Sequence, residues 1–234
     1  GGSRSCAADP AVRGLFVTGT DTGVGKSVVA ASVCAALAAR GERVAAFKPV
    51  VTGLDEPAGA LPPDHELLAR AAGAGQSPEE VAPYRYGPPV SPHYAAELTG
   101  ETIEPTRLVA AARRAAAAAD VLVAEGVGGL LVPITPGYLV RDLAQELALP
   151  VVVAARTGLG TINHTLLTME AARAVGLPVV GIVMTPWPAD PSPLELSNRA
   201  TLERLAGVGV SGLPPADLST LAAAGDALPL DRWL

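Results

Sequence analysis

The segment Leu-Phe-Val-Thr-Gly-Thr-Asp-Thr-Gly-Val-Gly-Lys-Ser, residues 15–27, joins a short apolar run to a glycine-rich turn and then to a helix-forming stretch. Glycines let backbone N–H groups wrap an anion, and the start of a helix adds partial positive charge. Lys26 is placed to reach the β- and γ-phosphates of a nucleotide, and Ser27 to offer a hydroxyl to Mg²⁺. The segment therefore predicts a P-loop.

This P-loop is a variant of the usual pattern. The strict spacing requires glycine at position 20, whereas this chain has Thr20 and carries Gly19 one residue earlier. A glycine-rich turn without a ligand is the alternative interpretation. The Gly-Lys-Ser ending, between an apolar strand and a helix, favours the P-loop.

Outside this segment, short apolar runs alternate with alanine-rich helical stretches. This alternation is typical of a parallel sheet whose strands are joined by crossover helices. We therefore predict an α/β fold, a doubly wound and mostly parallel sheet flanked by helices, of the P-loop NTPase type. Strands are predicted at 14–18, 43–47, 121–124, 151–154, 179–184 and 207–210. Helices are predicted at 26–40, 64–72, 105–119, 140–148, 161–175 and 194–206, with long loops at 53–63 and 87–92.

Composition and charge exclude several classes of function. The chain has 234 residues, 49% of them hydrophobic, which suits one α/β domain at 13–234 after a leader or expression scar at 1–12 that we expect to be disordered. The net charge is −6 and no basic cluster is denser than Arg113-Arg114, so we expect no nucleic-acid partner. No apolar stretch approaches the roughly 18 residues that span a bilayer. The two cysteines, Cys6 and Cys34, suit a reducing compartment, so we expect a cytoplasmic protein without a membrane partner.

Lysine is scarce in this chain, since only Lys26 and Lys48 among its 17 Lys and Arg residues are lysines. Lys48 follows the apolar run Val-Ala-Ala-Phe, and the proline after it stops further strand pairing. The carboxyl ends of parallel strands meet at one edge of a sheet, where ligands bind. We therefore predict that Lys48 faces the same phosphates as the P-loop. A solvated lysine at a strand end is the ordinary alternative.

Two acidic residues are candidates for a metal site. Glu125 follows the apolar strand 121–124, a position at which P-loop proteins commonly hold a metal-binding acid. A surface acid at a strand end is the alternative for Glu125. Asp64 opens a predicted helix after two prolines, and the residues alone favour a helix N-cap. The histidines have no metal-ligand spacing, which gives zinc little support: they are His65, His93 and His164.

Four segments together resemble the dethiobiotin synthetase family. They are Gly-Thr-Asp-Thr-Gly-Val-Gly-Lys-Ser at 19–27, Lys-Pro-Val-Val-Thr-Gly at 48–53, Glu-Gly-Val-Gly-Gly at 125–129 and Gly-Thr-Ile-Asn-His at 160–164. Their order and spacing match over most of the chain. The Gly-Thr-Asp-Thr opening and the Ile-Asn-His segment are specific to this family, whereas Gly-Lys-Ser alone does not distinguish it from other P-loop proteins.

The resemblance implies a reaction of biotin biosynthesis with ATP as co-substrate and Mg²⁺ as cofactor. CO₂ carbamates 7,8-diaminononanoate, and the carbamate attacks the γ-phosphate of ATP to give a carbamic-phosphoric anhydride. The second amine then closes a ureido ring with loss of phosphate, which yields dethiobiotin.

The resemblance also implies roles for individual residues. Ser27, Asp64 and Glu125 would hold Mg²⁺. For Asp64, the resemblance therefore favours a role as metal ligand over a role as helix N-cap. Lys48, with Thr22 and Thr52, would stabilise the carbamate and the charge that develops on the transferred group. Lys26 would bind phosphates and act in catalysis. The residues of the implied nucleotide site are Thr22, Gly23, Val24, Gly25, Lys26, Ser27 and Val28.

The family further implies a homodimer. One subunit would receive, on its segment Gly160, Thr161, Ile162 and Asn163, the carboxylate of the substrate bound to the other subunit. Backbone N–H groups at the start of a helix give this carboxylate site a physical basis. Ser91-Pro92-His93 is similar to the family's loop beside the substrate, without a chemical role for His93.

Two departures from the family are visible. Met184-Thr185-Pro186-Trp187 stands where many relatives have an asparagine that reads the adenine edge, so we expect that another nucleoside triphosphate is accepted. Gly23 stands where some members carry glutamate, and we expect it to leave the loop more flexible.

Two alternative functions stay open at this point. A partition or septum-positioning ATPase uses this fold to dimerise on DNA or membrane, but such proteins carry a second lysine where this chain has Asp21, and a basic amphipathic tail is missing. An amide-forming ligase acting on a cobyrinic acid is the other. Its glutamine-using version needs a second domain, for which we expect no room in 234 residues.

Overall fold

A six-stranded parallel sheet forms the centre of the molecule. The computed structural model describes residues 12–57 and 59–234, so the predicted leader lies outside the described residues apart from Val12. The central sheet has the order β10-β9-β8-β1-β5-β2, and β3-β4 and β6-β7 form small side sheets. All pairings of the central sheet are parallel, so its carboxyl ends share one edge. The strands are β1 (Gly14–Gly19), β2 (Val44–Phe47), β3 (Val50–Val51), β4 (Tyr84–Arg85), β5 (Val121–Gly129), β6 (Pro133–Thr135), β7 (Tyr138–Leu139), β8 (Val151–Ala155), β9 (Val179–Met184) and β10 (Val210–Gly212).

Helices cover both faces of this sheet. They are α1 (Lys26–Ala39), α2 (Asp64–Ala72), α3 (Pro78–Val81), α4 (Pro92–Thr99), α5 (Pro105–Ala117), α6 (Val140–Leu147), α7 (Thr161–Arg173), α8 (Pro193–Ala206), α9 (Leu221–Asp226) and α10 (Leu230–Trp233). Apolar side chains of α1, α2, α9 and α10 pack into one core, and those of α5, α6, α7 and α8 into another. No helix of the described residues is long and apolar enough to cross a membrane.

The alternation of strand side chains builds the two cores. Leu15 and Val17 of β1 lie in the core beneath α1, while Phe16 lies in the core on the other face, and all three are fully buried. Helix α9 approaches α1 very closely, because a Cβ at Gly225 would lie 1.9 Å from the Ser32 carbonyl oxygen. Glycine is therefore the residue that fits this helix contact.

The predicted doubly wound α/β fold is confirmed, and the six predicted strands are those of the central sheet. The last strand was predicted at 207–210 but spans Val210–Gly212, because Gly207 still ends α8 in a left-handed conformation with φ of 71°. The predicted loop at 87–92 is wrong at its end, since Pro92 begins α4. The short side strands and α3, α4, α9 and α10 are not predicted, because elements of two to eight residues carry little periodic signal.

Candidate active site

The P-loop leaves β1 at the carboxyl edge of the sheet and leads into α1. Gly23 and Gly25 have φ of 67° and 87°, in the left-handed region that glycine adopts without strain. A Cβ at Gly19 would lie 2.8 Å from Cγ of Lys26, so the glycine at this variant position makes room for the lysine stem. Nζ of Lys26 donates to the Asp21 carbonyl at 2.8 Å, which folds the ammonium over the loop.

Lys48 joins the two predicted metal-binding acids. Its Nζ lies 2.6 Å from Oδ2 of Asp64 and 2.5 Å from Oε1 of Glu125. Lys48 follows β2, Glu125 lies in β5 beside it, and Asp64 begins α2. Ser27 donates to the same Glu125 oxygen at 2.9 Å. The structure thus brings together all three predicted metal ligands and the second lysine.

This cluster is largely removed from solvent. Glu125 is fully buried and Lys48 is 3% exposed, whereas the side chain of Asp64 is 39% exposed and opens the cluster to the cleft. Oε2 of Glu125 is buried and has no hydrogen-bond partner among the described residues. A buried acceptor without a partner is costly, so this oxygen has capacity for a further ligand.

Burial and mutual attraction set the protonation of the cluster. Burial acts to lower the pKa of Lys48, but the carboxylates of Asp64 and Glu125 outweigh it and raise that pKa above its ordinary value. Burial acts to raise the pKa of Asp64, yet the charge of Lys48, with hydrogen bonds from Lys48 and Ser27, lowers it to about 2. Burial raises the pKa of Glu125 despite Lys48. Burial and the Lys48 charge together lower the pKa of Lys26 to about 8.

A cleft of about 750 Å³ opens in front of this cluster. Its walls come from the P-loop, from the loop after β3 and from the start of α4. The predicted site residues that line it are Thr22, Gly23, Gly25, Lys26, Ser27, Val28, Lys48, Thr52 and Asp64. Ser91 also lines it, and Oγ of Ser91 lies 3.1 Å from Nδ1 of His93, which is not part of the lining. The cleft therefore gathers most of the predicted phosphate-binding residues and, of the predicted substrate residues, Lys48 and Thr52.

A second cavity of about 600 Å³ lies on the other side of the P-loop. Gly23, Val24, Gly25 and Val28 line it, so the two cavities share the P-loop as a common wall. Thr185 and Pro186 form part of its far side. Met184, in contrast, is fully buried in the core at the end of β9.

The segment from Gly160 to Asn163 is not brought to the cleft within one chain. Gly160 has φ of 89° and precedes α7, and none of these four residues is among the described residues that line the cleft. Thr161 is buried and donates through Oγ1 to the Arg156 carbonyl at 2.6 Å. Asn163 is exposed, and Leu159 just before the segment is 93% exposed.

Arg156 was not predicted as a site residue, although its side chain lies against the P-loop. Its Nη2 donates to the Thr22 carbonyl at 3.2 Å. Its position in the sequence could have identified it as a site residue, because Arg156 directly follows β8, which neighbours β1 at the same carboxyl edge. Arg156 thus follows a buried parallel strand in the same way as Lys48 follows β2.

A P-loop at the carboxyl edge of a doubly wound parallel sheet, with a lysine and two carboxylates facing it, defines the class of P-loop nucleotide-binding proteins. A family profile described as an AAA domain matches residues 13–220. Among relatives of known function the chain matches several dethiobiotin synthetases, and it belongs to that family.

Two of these relatives show how far the similarity extends. The ATP-dependent dethiobiotin synthetase BioD of Anaeromyxobacter dehalogenans is 45% identical over 194 residues, which cover 83% of this chain and 86% of the relative. The ATP-dependent dethiobiotin synthetase BioD of Bacillus subtilis is 35% identical over 206 residues, or 87% of each chain. The similarity thus extends over more than four fifths of this chain.

Among solved structures, a ParA family ATPase from Chlorobium tepidum is similar with a TM-score of 0.51 and 14% identity, over 94% of this chain and 93% of that chain. Identity this low shows a shared fold and no more. The α/β architecture is therefore common to both proteins.

Proposed function

We propose that this chain is an ATP- and Mg²⁺-dependent cyclo-ligase that converts 7,8-diaminononanoate, CO₂ and ATP into dethiobiotin, ADP and phosphate. The observation that carries the proposal is the cluster of Lys48, Asp64, Glu125 and Ser27 beside a P-loop, in a member of the dethiobiotin synthetase family. The substrates are small molecules, and we expect neither nucleic acid nor a membrane as partner. We assign the reaction to the cytoplasm and to one catalytic domain at 13–234.

The reaction divides into three steps. One amine of the substrate adds to CO₂ and loses a proton, which gives a carbamate. A carbamate oxygen attacks the γ-phosphorus of ATP, the bond to the bridging oxygen breaks, and ADP leaves. The second amine then attacks the carbamate carbon, phosphate departs with the former carbamate oxygen, and the ureido ring closes with loss of a proton.

The phosphates of ATP bind to the P-loop. Backbone N–H groups from Thr22 to Val28 and the start of α1 face the anion, and the glycines keep this backbone accessible. Lys26 provides the positive charge for the β- and γ-phosphates. Phosphoryl transfer needs little covalent help from the protein, so positioning and charge are the main contributions of these residues.

Lys48 acts on the carbamate and on the transferred phosphoryl group. It lies at the end of β2 and lines the cleft together with Thr22 and Thr52, and Asp64 and Glu125 hold its ammonium in place. A cation held in this way stabilises negative charge in the transition state without reorganising. Thr22 and Thr52 contribute hydroxyl groups to the same anion.

The residues at the cluster fit a magnesium ion. Ser27, Asp64 and Glu125 supply oxygen donors only, and Mg²⁺ is usually bound by one or two carboxylates together with substrate phosphates. The described residues contain no group of three or more His, Cys, Asp or Glu that could hold a metal. When bound, Mg²⁺ would neutralise charge on the β- and γ-phosphate oxygens.

A homodimer would complete the substrate site. Gly160, Thr161, Ile162 and Asn163 lie at the start of α7 and away from the cleft of their own chain. We assign them to the substrate carboxylate of the other subunit, because N–H groups at a helix start bind anions. Exposed leucines beside them support a partner surface, with Leu159 at 93% and Leu167 at 60% exposure.

The test is phosphate release by the purified chain with Mg-ATP and bicarbonate, with and without 7,8-diaminononanoate. We expect release that depends on the diamine. Slow release that ignores the diamine but increases with DNA or with anionic lipid vesicles would support the partition or septum-type ATPase instead. The ParA-like fold alone does not favour that alternative, because Asp21 occupies the position of the second lysine.

A further inference from the structure

Arg156 is a cation at the P-loop to which the proposed reaction assigns no role. It follows β8, the strand next to β1, so it starts from the same edge of the sheet as the P-loop. Its Nη2 donates to the Thr22 carbonyl at 3.2 Å, and a Cβ added at Gly23 would lie 3.8 Å from the same nitrogen. The guanidinium therefore lies directly beside the backbone at Thr22 and Gly23.

The loop that carries Arg156 is fixed at several points. Thr161 Oγ1 donates to the Arg156 carbonyl at 2.6 Å. Nδ2 of Asn198, on α8, donates to the carbonyls of Thr157 at 2.9 Å and Gly158 at 3.1 Å. Asn198 is 5% exposed, so these bonds are shielded from water. Arg156 is thus presented by a preorganised backbone, which lowers the entropic cost of binding a ligand.

No carboxylate in the described part of the chain compensates the charge of Arg156. Within residues 12–57 and 59–234 no acidic side chain forms an ion pair with it, and one hydrogen bond to Thr22 uses one of its five donors. Lys48, in contrast, is bound by Asp64 and Glu125. Arg156 is therefore a cation without an ion-pair partner among the described residues, next to a loop built for an anion.

The position of Arg156 indicates which part of the nucleotide it meets. Arg156 lines the cavity formed with Val24, Val28, Thr185 and Pro186, and it does not line the cleft that holds Lys48. Lys48 faces the transferred group, so the cavity on the other side of the P-loop belongs to the nucleoside end. A guanidinium here can donate to phosphate oxygens in a bidentate manner.

We infer that Arg156 is a nucleotide-binding residue that holds the phosphate chain from its nucleoside side, on the phosphates that ATP and ADP share. The assignment rests on the proposed ATP dependence. It predicts that Arg156 contributes to the affinity for both nucleotides and little to the chemical step. Its bond to Thr22 would at the same time hold the P-loop in its binding conformation.

The test compares Arg156→Ala and Arg156→Lys with the unchanged protein by calorimetry of Mg-ADP and of a non-hydrolysable Mg-ATP analogue. We expect the alanine variant to weaken both ligands by about tenfold to a hundredfold, and the lysine variant to recover part of the loss. Arg204→Ala is the matched control, since Arg204 is an exposed arginine of α8 that lines neither cavity, and it should bind both nucleotides normally. Arg156 is exposed, so we expect its replacement to leave the fold intact. Thermal unfolding of each variant checks this expectation.

Unchanged affinity of the alanine variant for ADP would overturn the assignment. The binding experiment contains no diamine and measures no turnover. A failure to form dethiobiotin would therefore count against the proposed function and leave the result for Arg156 intact.

Discussion

The Lys48 ammonium lies 2.6 Å from the Asp64 carboxylate, which links the end of β2 to the start of α2 across the mouth of the cleft. Glu125 approaches the same ammonium from β5 at 2.5 Å. Removing one member of such a buried group leaves its partners uncompensated, which is more costly than the pair itself is stabilising. Substitutions within the cluster should therefore have measurable effects, which we predict separately for catalysis and for metal binding.

Lys48→Ala should abolish turnover while nucleotide binding persists. The variant loses the cation that faces the carbamate and the transferred group, so we expect kcat to fall by about a hundredfold or more. Lys26 and the P-loop amides remain, so the Kd for Mg-ADP should stay within about threefold, as measured by calorimetry. Retained Mg-ADP binding also shows that the variant is folded. Near-normal turnover would remove Lys48 from the mechanism.

Glu125→Gln should raise the Mg²⁺ requirement. The substitution keeps the size of the side chain but removes the negative charge that would face the metal, so we expect half-saturation at about tenfold higher Mg²⁺ or more. The measurement is a magnesium titration of phosphate release at saturating ATP. Glu42→Gln is the control, because Glu42 pairs with Arg13 near the opposite edge of the sheet. An unchanged titration for Glu125→Gln would exclude Glu125 as a ligand.

Nucleotide selectivity should be low. The side chains that line the nucleoside cavity include Thr185, Pro186, Pro215 and Ala216, and among the described residues that line it no side-chain amide is present to read the edge of adenine. A site without side-chain hydrogen bonds to the base discriminates little between bases, so GTP and CTP should support turnover within about tenfold of ATP in kcat/KM. Competition assays at equal nucleotide concentrations measure this ratio. A preference for ATP above about a thousandfold would show that the backbone reads the base.

Nucleotide affinity should fall at alkaline pH. Burial and the charge of Lys48 lower the pKa of Lys26 to about 8, so in the free protein Lys26 loses its proton as pH rises through this value. Affinity for Mg-ADP should be nearly constant from pH 7 to 7.5 and then fall by up to about tenfold for each further pH unit. Lys26→Arg is the control, since a guanidinium keeps its charge in this range and any residual binding should not fall. Constant affinity of the unchanged protein up to pH 9.5 would contradict the lowered pKa.

Much of the site follows from one rule of parallel sheets. Lys48 is predictable because it directly follows the buried strand β2, and the carboxyl ends of parallel strands meet at one edge. Lys26 is predictable from the P-loop motif. Glu125 was predicted just after a strand at 121–124, but β5 continues past it to Gly129. The position of Asp64 at the site is not predictable by this rule, because the pairing of Asp64 with Lys48 depends on how α2 packs. The residues alone favoured an N-cap, which is wrong: Pro63 is the N-cap of α2, and the carboxylate of Asp64 bonds Lys48.

Other contacts could not be predicted because they join distant loops. Asn198 reaches the carbonyls of Thr157 and Gly158 from α8, a contact between residues about 40 positions apart. Arg156 could have been identified at the end of β8, but its contact with Thr22 depends on side-chain direction. The segment from Gly160 to Asn163 stays a prediction, since its role requires a second chain.

The most direct test of the central claim uses [¹³C]bicarbonate with Mg-ATP and 7,8-diaminononanoate, followed by mass spectrometry of the product and phosphate analysis. We expect dethiobiotin that carries a single labelled carbon, formed in equal amount to the released phosphate. Phosphate release without a labelled cyclic urea would contradict the account, because ATP hydrolysis would then be uncoupled from ring closure.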